Sequence, residues 1–450
     1  MQGGADVPLR RHRGRRRRRR GRRPRHRRPS AWPAEHVRLL QCSTSMTVEG
    51  ETTWGVPREV DVVVIGAGQA GLSAAYHLRR RGFEPYRGFV VLDADPAPGG
   101  AWAHRSPSLR MATVHGFHDL PDFELPEVDP QAPANTVVPG YFAAYEAKHA
   151  LPVVRPVRVR AVRSLPDGRL RVETDRGDWT ARALVNATGT WTRPFLPHYP
   201  GRFGGRQLHY ADYRGPDEFA GQRVMVVGGG ASAIQVLSEV GAVAETVWVT
   251  RRPPVYRDGP FTPEAGRAAV ALVEQRVREG LPVRSVVSVT GLGPSVAYRR
   301  AEELGVLRRR PMFDRLTAHG AAWDGAEEQV DAIVWATGFR PEVTHLAPLG
   351  LRGPGGGIRM EGTRAAADPR IHLVGYGPSA STVGANRAGR TATNDIVRLL
   401  GTPDQGARGG TSRPKAGGEL RNSEADHRTG FGPARTVVTA TPTLRGSPRP

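Results

Sequence analysis

Cysteine is nearly absent from this 450-residue sequence, because Cys42 is the only one. A single thiol can form neither an intramolecular disulfide nor a dithiol redox centre, so this chain contains neither. No stretch approaches the ~18 apolar residues of a transmembrane helix. No apolar segment of the type found in export signals follows the arginines that end at Arg28. The sequence therefore predicts a soluble, cytoplasmic protein without disulfides.

Acidic residues are also few, with 43 Asp and Glu against 65 Lys and Arg and a formal net charge of +22. Much of the excess lies in residues 1–45, which hold 15 arginines against two acidic residues. That segment lacks apolar periodicity and interleaved aromatic residues, which predicts disorder rather than a nucleic-acid interface. Met46 opens a sequence of ordinary composition, and we favour it as the translation start. A basic tether to nucleic acid or membranes is the alternative.

A glycine-rich turn follows the apolar strand Val62–Ile65 and has the form Gly66-x-Gly68-x-x-Gly71. Glycines at this spacing permit a tight turn, let the backbone approach a pyrophosphate, and bring the next helix against the strand. The following strand ends in Asp93, a residue that accepts hydrogen bonds from ribose hydroxyls and would repel a 2′-phosphate. This turn predicts an FAD site.

A second turn, 162 positions later, has the form Gly228-x-Gly230-x-x-Ala233. Its next strand ends before two arginines, where the first unit has a carboxylate. Guanidinium groups at that position favour a ribose that carries a phosphate, so this turn predicts an NADPH site. The candidate residues here are Gly228, Gly230, Ser232, Ala233, Arg251 and Arg252.

Repeated strand, turn and helix patterns predict an α/β fold with parallel sheets and two Rossmann-like, three-layer dinucleotide-binding domains. Two strands end in Ala-Thr-Gly, at residues 187–189 and 336–338, and a proline follows each, as expected where a chain passes between domains. An FAD-binding domain split by an inserted NADPH domain is therefore expected. The expected segments are a disordered Arg-rich segment at 1–58, the first FAD-binding segment at 59–195, the NADPH-binding domain at 196–330, the second FAD-binding segment at 331–400 and a disordered tail at 401–450.

Over residues 59–400 the chain resembles the flavin-containing monooxygenases, the class B flavoprotein monooxygenases, in their short bacterial and plant form. The two turns and the two Ala-Thr-Gly strand ends carry the resemblance. So do Gly99-Gly100-Ala101-Trp102 and the spaced set Phe203-x-Gly205-x-x-x-His209-x-x-x-Tyr213, which is similar to the family fingerprint.

The resemblance implies further site residues. It places the segment around Gly100 beside the flavin, and a helix that begins near Ser381 with its N-terminus toward the flavin. It also implies that His209 helps to position the NADPH domain rather than transfer protons. The additional cofactor-binding candidates are Gly100, Trp102, Thr188, Gly189, Thr337, Gly338, Gly375 and Gly384.

The activity that the resemblance implies is hydride transfer from NADPH to FAD, formation of a C4a-peroxyflavin with oxygen, and oxygenation of a small nitrogen or sulfur nucleophile or a carbonyl compound. One departure bears on this. Many family members place an asparagine over the flavin, whereas residues 108–113 contain none, and Thr113 is the candidate substitute. If Thr113 does not act so, an FAD-dependent NAD(P)H oxidoreductase or oxidase without substrate oxygenation is the alternative.

A non-enzymatic flavoprotein tethered by its basic arms is a third hypothesis, against which the lower net charge of the middle of the chain argues. The expected partners are a small-molecule substrate and oxygen, not nucleic acid. The sequence indicates no metal site and leaves homo-oligomerisation open.

Overall fold

A computed structural model describes residues 58–114, 117–257, 263–283 and 291–401, and all that follows concerns these residues. The Arg-rich segment, Met46 and Cys42 lie outside the described residues. So does the expected tail beyond Gly401. The predicted disorder of both ends is therefore not addressed by the structure.

The first sheet contains nine strands. They are β1 Glu59–Ile65, β2 Phe89–Leu92, β3 Val153–Val154, β4 Val159–Ser164, β5 Leu170–Thr174, β6 Trp179–Asn186, β15 Met360–Glu361, β16 Arg364–Ala365 and β17 Asp368–Leu373. Their order is β15-β16-β17-β6-β1-β2-β3, with β5 paired to β6 and β4 paired to β5. The centre of the sheet, from β17 to β3, is parallel.

Helices α1 (Gln69–Arg80), α2 (Ala134–Lys148) and α6 (Thr382–Leu400) belong to this part of the chain. The central strands are apolar runs buried on both faces, as parallel strands between covering layers are. Helices α1 and α6 approach closely, since a Cβ at Gly389 would lie 2.8 Å from the Ala74 nitrogen. This packing brings the beginnings of α1 and α6 to the same edge of the sheet.

The second sheet has five strands, β7 Arg206–His209, β8 Arg223–Val227, β9 Glu245–Thr250, β10 Arg309–Pro311 and β14 Ala332–Trp335. They are parallel and lie in the order β10-β9-β8-β14-β7. Helices α3 Ala231–Val240 and α5 Val296–Glu303 belong to this region, whereas α4 Pro263–Arg278, which lies between β9 and β10 in the chain, packs through Val277 into the core of the first sheet. A small antiparallel sheet is formed by β11 Arg315–Leu316, β12 Gly320–Trp323 and β13 Ala326–Gln329. The predicted α/β class with parallel sheets is confirmed.

One sheet assignment differs from the expected domain limits. The strand β14 lies between β8 and β7, in the second sheet. By sheet membership the chain thus returns to the first sheet after Trp335, later than the expected border at residue 331. The reason is that β14 is an apolar inner strand, with β8 on one side and β7 on the other.

The two Ala-Thr-Gly strand ends run into connectors that pair with each other. The Phe195 N–H donates to the Gly338 carbonyl at 2.9 Å, and the Arg340 N–H donates to the Arg193 carbonyl at 2.8 Å. The Thr337 hydroxyl also donates to the Phe195 carbonyl. The outgoing and returning connections therefore form one joined crossing between the sheets.

Two absences hold for the described residues. No helix among them is long and apolar enough to cross a membrane. No group of three or more His, Cys, Asp or Glu side chains within the same ranges is arranged to hold a metal ion.

Candidate dinucleotide sites

The first turn folds as its glycine spacing requires. Gly66 has a φ of +99°, and a Cβ at Gly71 would lie 1.8 Å from the Gly66 carbonyl oxygen. Gly68 differs from both, because nothing lies within 4 Å of the position that its Cβ would occupy. Gly66 and Gly71 thus shape the turn, and Gly68 leaves free space at the N-terminus of α1.

Asp93 at the end of β2 is buried and holds this turn through its carboxylate. Its Oδ2 accepts a hydrogen bond from the Ala67 N–H at 2.5 Å, and its Oδ1 accepts one from the Asp95 N–H at 2.8 Å. Oxygens of a carboxylate accept more than one hydrogen bond each, so these bonds leave acceptor capacity toward a ligand.

A cavity of about 580 Å³ opens above the first turn. Cavities of ligand size in proteins fall in the range of roughly 300–1,000 Å³. The predicted residues that line it are Gly66, Gly68, Asp93, Gly100, Trp102, Thr188, Gly189 and Gly375. Apart from His209 and the candidates of the second turn, five predicted residues do not line it: Gly71, Thr113, Thr337, Gly338 and Gly384.

The helix α6 begins at this cavity, as expected from its sequence. The Ser381 hydroxyl caps the helix by accepting a hydrogen bond from the Gly384 N–H at 3.1 Å. Ser379, Ala380 and Ser381 line the cavity. The positive end of the α6 dipole therefore faces the same space as the start of α1, which favours a bound anion or a group that gains negative charge.

Gly99 and Gly100 bring Trp102 to the cavity. Both glycines have positive φ, +133° and +50°, and a Cβ at Gly100 would lie 3.0 Å from the Gly68 Cα. The chain then forms a short 3₁₀ turn, Gly100–Trp102, and the Trp102 ring packs edge-on against Phe117.

Thr113 lies in another 3₁₀ turn, Met111–Thr113, and its hydroxyl donates a hydrogen bond to the Arg110 carbonyl at 2.9 Å. This bond caps the turn locally. Thr113 does not line the cavity, so its role as a substitute for the family asparagine stays a prediction.

The second turn repeats the geometry of the first. Gly228 has a φ of +149°, and a Cβ there would lie 2.2 Å from the Ala336 carbonyl oxygen. No atom lies within 4 Å of a Cβ built at Gly230. Helix α3 begins at the next residue, with Ser232 half-buried and Ala233 buried against the core. This turn also presents a free helix N-terminus.

Three arginines gather at the end of β9. The Thr250 hydroxyl donates to the Arg252 carbonyl at 2.7 Å, and the Arg309 Nε donates to the Thr250 hydroxyl at 2.7 Å. Arg251 and Arg252 are exposed. The third cation was not predicted from the sequence, because Arg309 on β10 is 59 residues away from Thr250 along the chain.

His209 connects β7 to the joined crossing. Its Nδ1 accepts a hydrogen bond from the Ala211 N–H at 3.0 Å, so Nε2 carries the proton and donates to the Gly338 carbonyl, also at 3.0 Å. The ring packs edge-on against Phe339. Burial lowers the pKa of His209, against the opposing effects of the Gly338 carbonyl and Asp212. Both ring nitrogens are thus bonded to backbone atoms, and the role of His209 as a positioning residue stays a prediction.

The aromatic fingerprint residues lie in two different cores of the second region, Tyr213 in one and Phe203 in the other. Phe203 and Tyr213 are buried, and a Cβ at Gly205 would lie 2.4 Å from the Phe203 ring. The Tyr213 hydroxyl donates to Glu239 Oε2 at 2.8 Å on α3. The Ser108 hydroxyl donates to the same oxygen at 2.7 Å. Glu239 thereby ties the segment after Trp102 to the helix of the second turn.

Two residues that the sequence did not single out also line the cavity, Arg105 and His345. Burial lowers the pKa of His345 to about 4, and its Nε2 lies 2.6 Å from Asn186 Oδ1. Asn186 ends β6, 159 residues earlier. Arg105 could have been suspected from the sequence, because it lies three residues after Trp102. No local pattern points to His345.

Both turns lie within the stretch of the chain that matches a known family model. Residues 63–285 match the family model described as pyridine nucleotide-disulphide oxidoreductase. A flavin-containing monooxygenase from Stenotrophomonas maltophilia is 39% identical, with a TM-score of 0.65 over 76% of this chain and 99% of that chain.

Two sequence relatives differ in activity. The indole-3-pyruvate monooxygenase YUCCA1 of Oryza sativa subsp. japonica is 30% identical over 73% of this chain and 88% of its own length. The ferredoxin–NADP reductase of Salinispora tropica is 31% identical over 70% of this chain and 85% of its own length. A monooxygenase and a reductase are thus both similar in sequence to this chain over about 70% of its length.

Proposed function

Because the chain belongs to the flavin-containing monooxygenase family, we propose that it is an NADPH-dependent FAD monooxygenase that oxygenates a small nitrogen or sulfur nucleophile or a carbonyl compound. The observation that carries the proposal is the contrast between two turns of the same geometry. One turn faces a cavity and holds a carboxylate, and the other adjoins three arginines.

The first turn fits FAD. Free space at Gly68 lets a pyrophosphate reach the N-terminus of α1, and the start of α6 adds a second positive helix end. Asp93 would accept hydrogen bonds from ribose hydroxyls with the lone pairs that Ala67 and Asp95 leave free. Trp102, Thr188, Gly189 and Gly375 would enclose the remaining length of the cofactor.

The second turn fits NADPH. Free space at Gly230 offers the same approach to the N-terminus of α3, where Ser232 adds a hydroxyl donor. Arg251 and Arg252 would bind the 2′-phosphate, for which guanidinium groups supply paired donors. On this proposal the FAD-binding domain comprises residues 59–195 and the chain that returns after Trp335, and the NADPH-binding domain lies between them.

Bound FAD, once reduced by NADPH, would activate oxygen so that one atom enters the substrate and the other leaves as water. The protein's own part is to position the two nucleotides and to keep water from the reacting centre. His209 would hold the NADPH side in register through the Gly338 carbonyl. Trp102, Trp191 and Phe339 line the cavity with apolar surface that excludes water.

The decisive experiment is NADPH oxidation by purified holoenzyme with a panel of amines, sulfides and ketones, with hydrogen peroxide and oxygenated product measured together. We expect at least one class to yield product and to lower the peroxide released per NADPH. Peroxide equal to NADPH consumed for every class would contradict oxygenation. Equal rates with NADH would contradict the assignment of Arg251 and Arg252.

A reductase is the second candidate, and the position of Thr113 favours it. Its hydroxyl is bonded to the Arg110 carbonyl and does not line the cavity. If no residue replaces the family asparagine, reduced FAD would pass electrons to a quinone, a protein or oxygen instead. Fast reduction of a quinone or ferredoxin, with no oxygenated product from the panel, would support this candidate.

A further inference from the structure

Arg105 is held between two indole rings where the two sheets meet. Its guanidinium carbon lies 4.9 Å from the ring centroid of Trp191 and 5.6 Å from that of Trp102. Trp191 in turn stacks on Phe339, with 4.9 Å between centroids and 23° between the planes. Rings on a guanidinium attract its face and leave the N–H groups at its edge available for an anion.

That edge has no acidic partner. Within the ranges described, no ion pair involves Arg105, whereas the neighbouring His104 is paired with Asp95 at 2.9 Å. Arg105 is half-buried and lines the cavity. A half-buried cation without a counter-ion is poorly compensated in the protein alone, which indicates that an anion belongs beside it.

Contacts with helix α3 and the second turn indicate which of the two dinucleotide sites Arg105 serves. The Tyr210 hydroxyl lies beside both Arg105 and Ser232 of the second turn, and it donates to Gln235 Oε1 at 2.7 Å. Gln235 donates to Glu239, whose other oxygen holds Ser108. Ser108 is thereby fixed at the last turn of α3, and Arg105 lies beside Tyr210, which reaches Ser232 in the first turn of the same helix.

Resting on the function proposed above, we propose that Arg105 completes the second dinucleotide site from across the junction, by binding the pyrophosphate of NADPH. Helix α3 supplies backbone N–H groups on one side of that pyrophosphate, and Arg105 supplies a charged fork on the other. Arg251 and Arg252 bind the distant 2′-phosphate. On this proposal NADPH contacts both the second turn and Arg105, which lies in the segment of chain that follows the FAD turn. Arg105 is then a positioning residue.

The test uses FAD-loaded protein and the variants R105Q and R105K, with R171Q as a control for the loss of one positive charge on the exposed face of β5. The affinities of NADP⁺ and of 2′-AMP are measured by titration. We expect R105Q to weaken NADP⁺ about ten- to a hundredfold, the value of a charge-assisted hydrogen bond. Since 2′-AMP carries the 2′-phosphate and no pyrophosphate, its affinity should stay the same.

R105K should recover part of the NADP⁺ affinity, because it keeps the charge and loses the fork. In rapid-reaction measurements of FAD reduction, the Arg105 variants should need a higher NADPH concentration for half-saturation. Their limiting rate should stay within about threefold of that of the unchanged protein. R171Q should match the unchanged protein in every measurement. A merely structural role would instead lower FAD content and thermal stability in both Arg105 variants. If R105Q does not fold, R105K carries the same comparison of the two ligands.

Three results would overturn the inference. NADP⁺ affinity in R105Q equal to that of R171Q would remove Arg105 from the site. A raised KM for a carboxylate-bearing acceptor with unchanged NADP⁺ affinity would make Arg105 a substrate residue. Unchanged protein that binds neither NADP⁺ nor NADPH would overturn the proposed function together with this inference, so the two failures are distinguishable.

Discussion

At the scale of single residues, Asp93 has a structural task in addition to any contact with ribose. Its carboxylate accepts hydrogen bonds from the backbone at Ala67 and Asp95, and one of these groups lies inside the first turn. The acid was predicted from its place after a strand, but its bond to the turn depends on how β1 and β2 pair. Sequence position alone does not supply that second role.

Replacing Asp93 by alanine should therefore weaken both folding and cofactor binding. We expect a loss of about 1–3 kcal/mol in the free energy of unfolding, because the buried Ala67 N–H loses its acceptor. Chemical denaturation and the ratio of flavin to protein absorbance check this. D93N keeps an acceptor oxygen and should recover most of the stability but not the flavin content. Full flavin content in D93A would contradict the proposed role.

At the scale of residues, the sequence predicts the turns where backbone geometry dictates the residue type, and it does not predict contacts between distant segments. The glycines of both turns are recognisable because Gly66 and Gly228 need positive φ. His345 meets Asn186 from 159 residues away, and Arg105 meets Trp191 only through tertiary packing. No local pattern encodes such meetings.

At the scale of elements, the first turn separates residues that shape it from residues that leave room. G71A should fail to fold or lose thermal stability severely, because its methyl group would overlap the Gly66 carbonyl. G68A should fold, since the methyl group enters free space and the φ of −81° suits alanine. It should nevertheless lose FAD, because the methyl group occupies the path of the pyrophosphate.

Thermal melts and flavin content of the two variants make this comparison. Normal FAD binding in folded G68A would show that the cofactor does not approach α1 here. A stable G71A would contradict the close packing of helix and strand.

The second turn permits a cleaner experiment, because its ligand is exchangeable. G230A should keep its FAD and its thermal stability, since a Cβ there meets no atom within 4 Å. We expect the half-saturating NADPH concentration for flavin reduction to rise at least tenfold, because the methyl group separates the pyrophosphate from α3. G140A is a suitable control, because Gly140 lies in helix α2 with open space at the position of a Cβ. G215A is not suitable, because Gly215 has a φ of +152°. An unchanged NADPH dependence in G230A would remove the ligand from this turn.

The elements themselves were largely readable from the chain. Buried parallel strands are continuous apolar runs, and helix α6 begins directly after Ser381, near which its start was expected. The sheet membership of β14 was not readable, because apolar strands carry no mark of the neighbour they pair with. Only the register with β7 and β8 settles it.

At the scale of the whole molecule, buried histidines connect stability to pH. Burial lowers the pKa of His345 and of His372 to about 4, well below the ordinary value of 6.5. The unfolded chain binds these protons more readily, so their contribution is complete above about pH 6.5 and is lost as the pH falls toward 4. Each histidine contributes on the order of 2–3 kcal/mol over this window.

We therefore expect the free energy of unfolding to fall steeply between pH 6.5 and 4, as measured by denaturant titrations at several pH values. H345N should flatten part of this slope, and H319N, at an exposed position, should leave it unchanged. Both variants keep the carboxylates that begin to protonate near pH 4, so the difference between them isolates the buried ring. Identical slopes would contradict a neutral, buried His345.

The way in which the chain leaves the first sheet and returns to it has a consequence for the order of folding during synthesis. The second sheet is drawn from one continuous stretch, residues 206–335, whereas the first sheet lacks β17 until residue 373 has been made. The middle of the protein can thus fold while its beginning still waits for an inner strand. Truncation before Asp368 should leave a protease-resistant middle fragment and an unprotected N-terminal one, because a strand made late in synthesis completes the sheet whose first strands are made earliest.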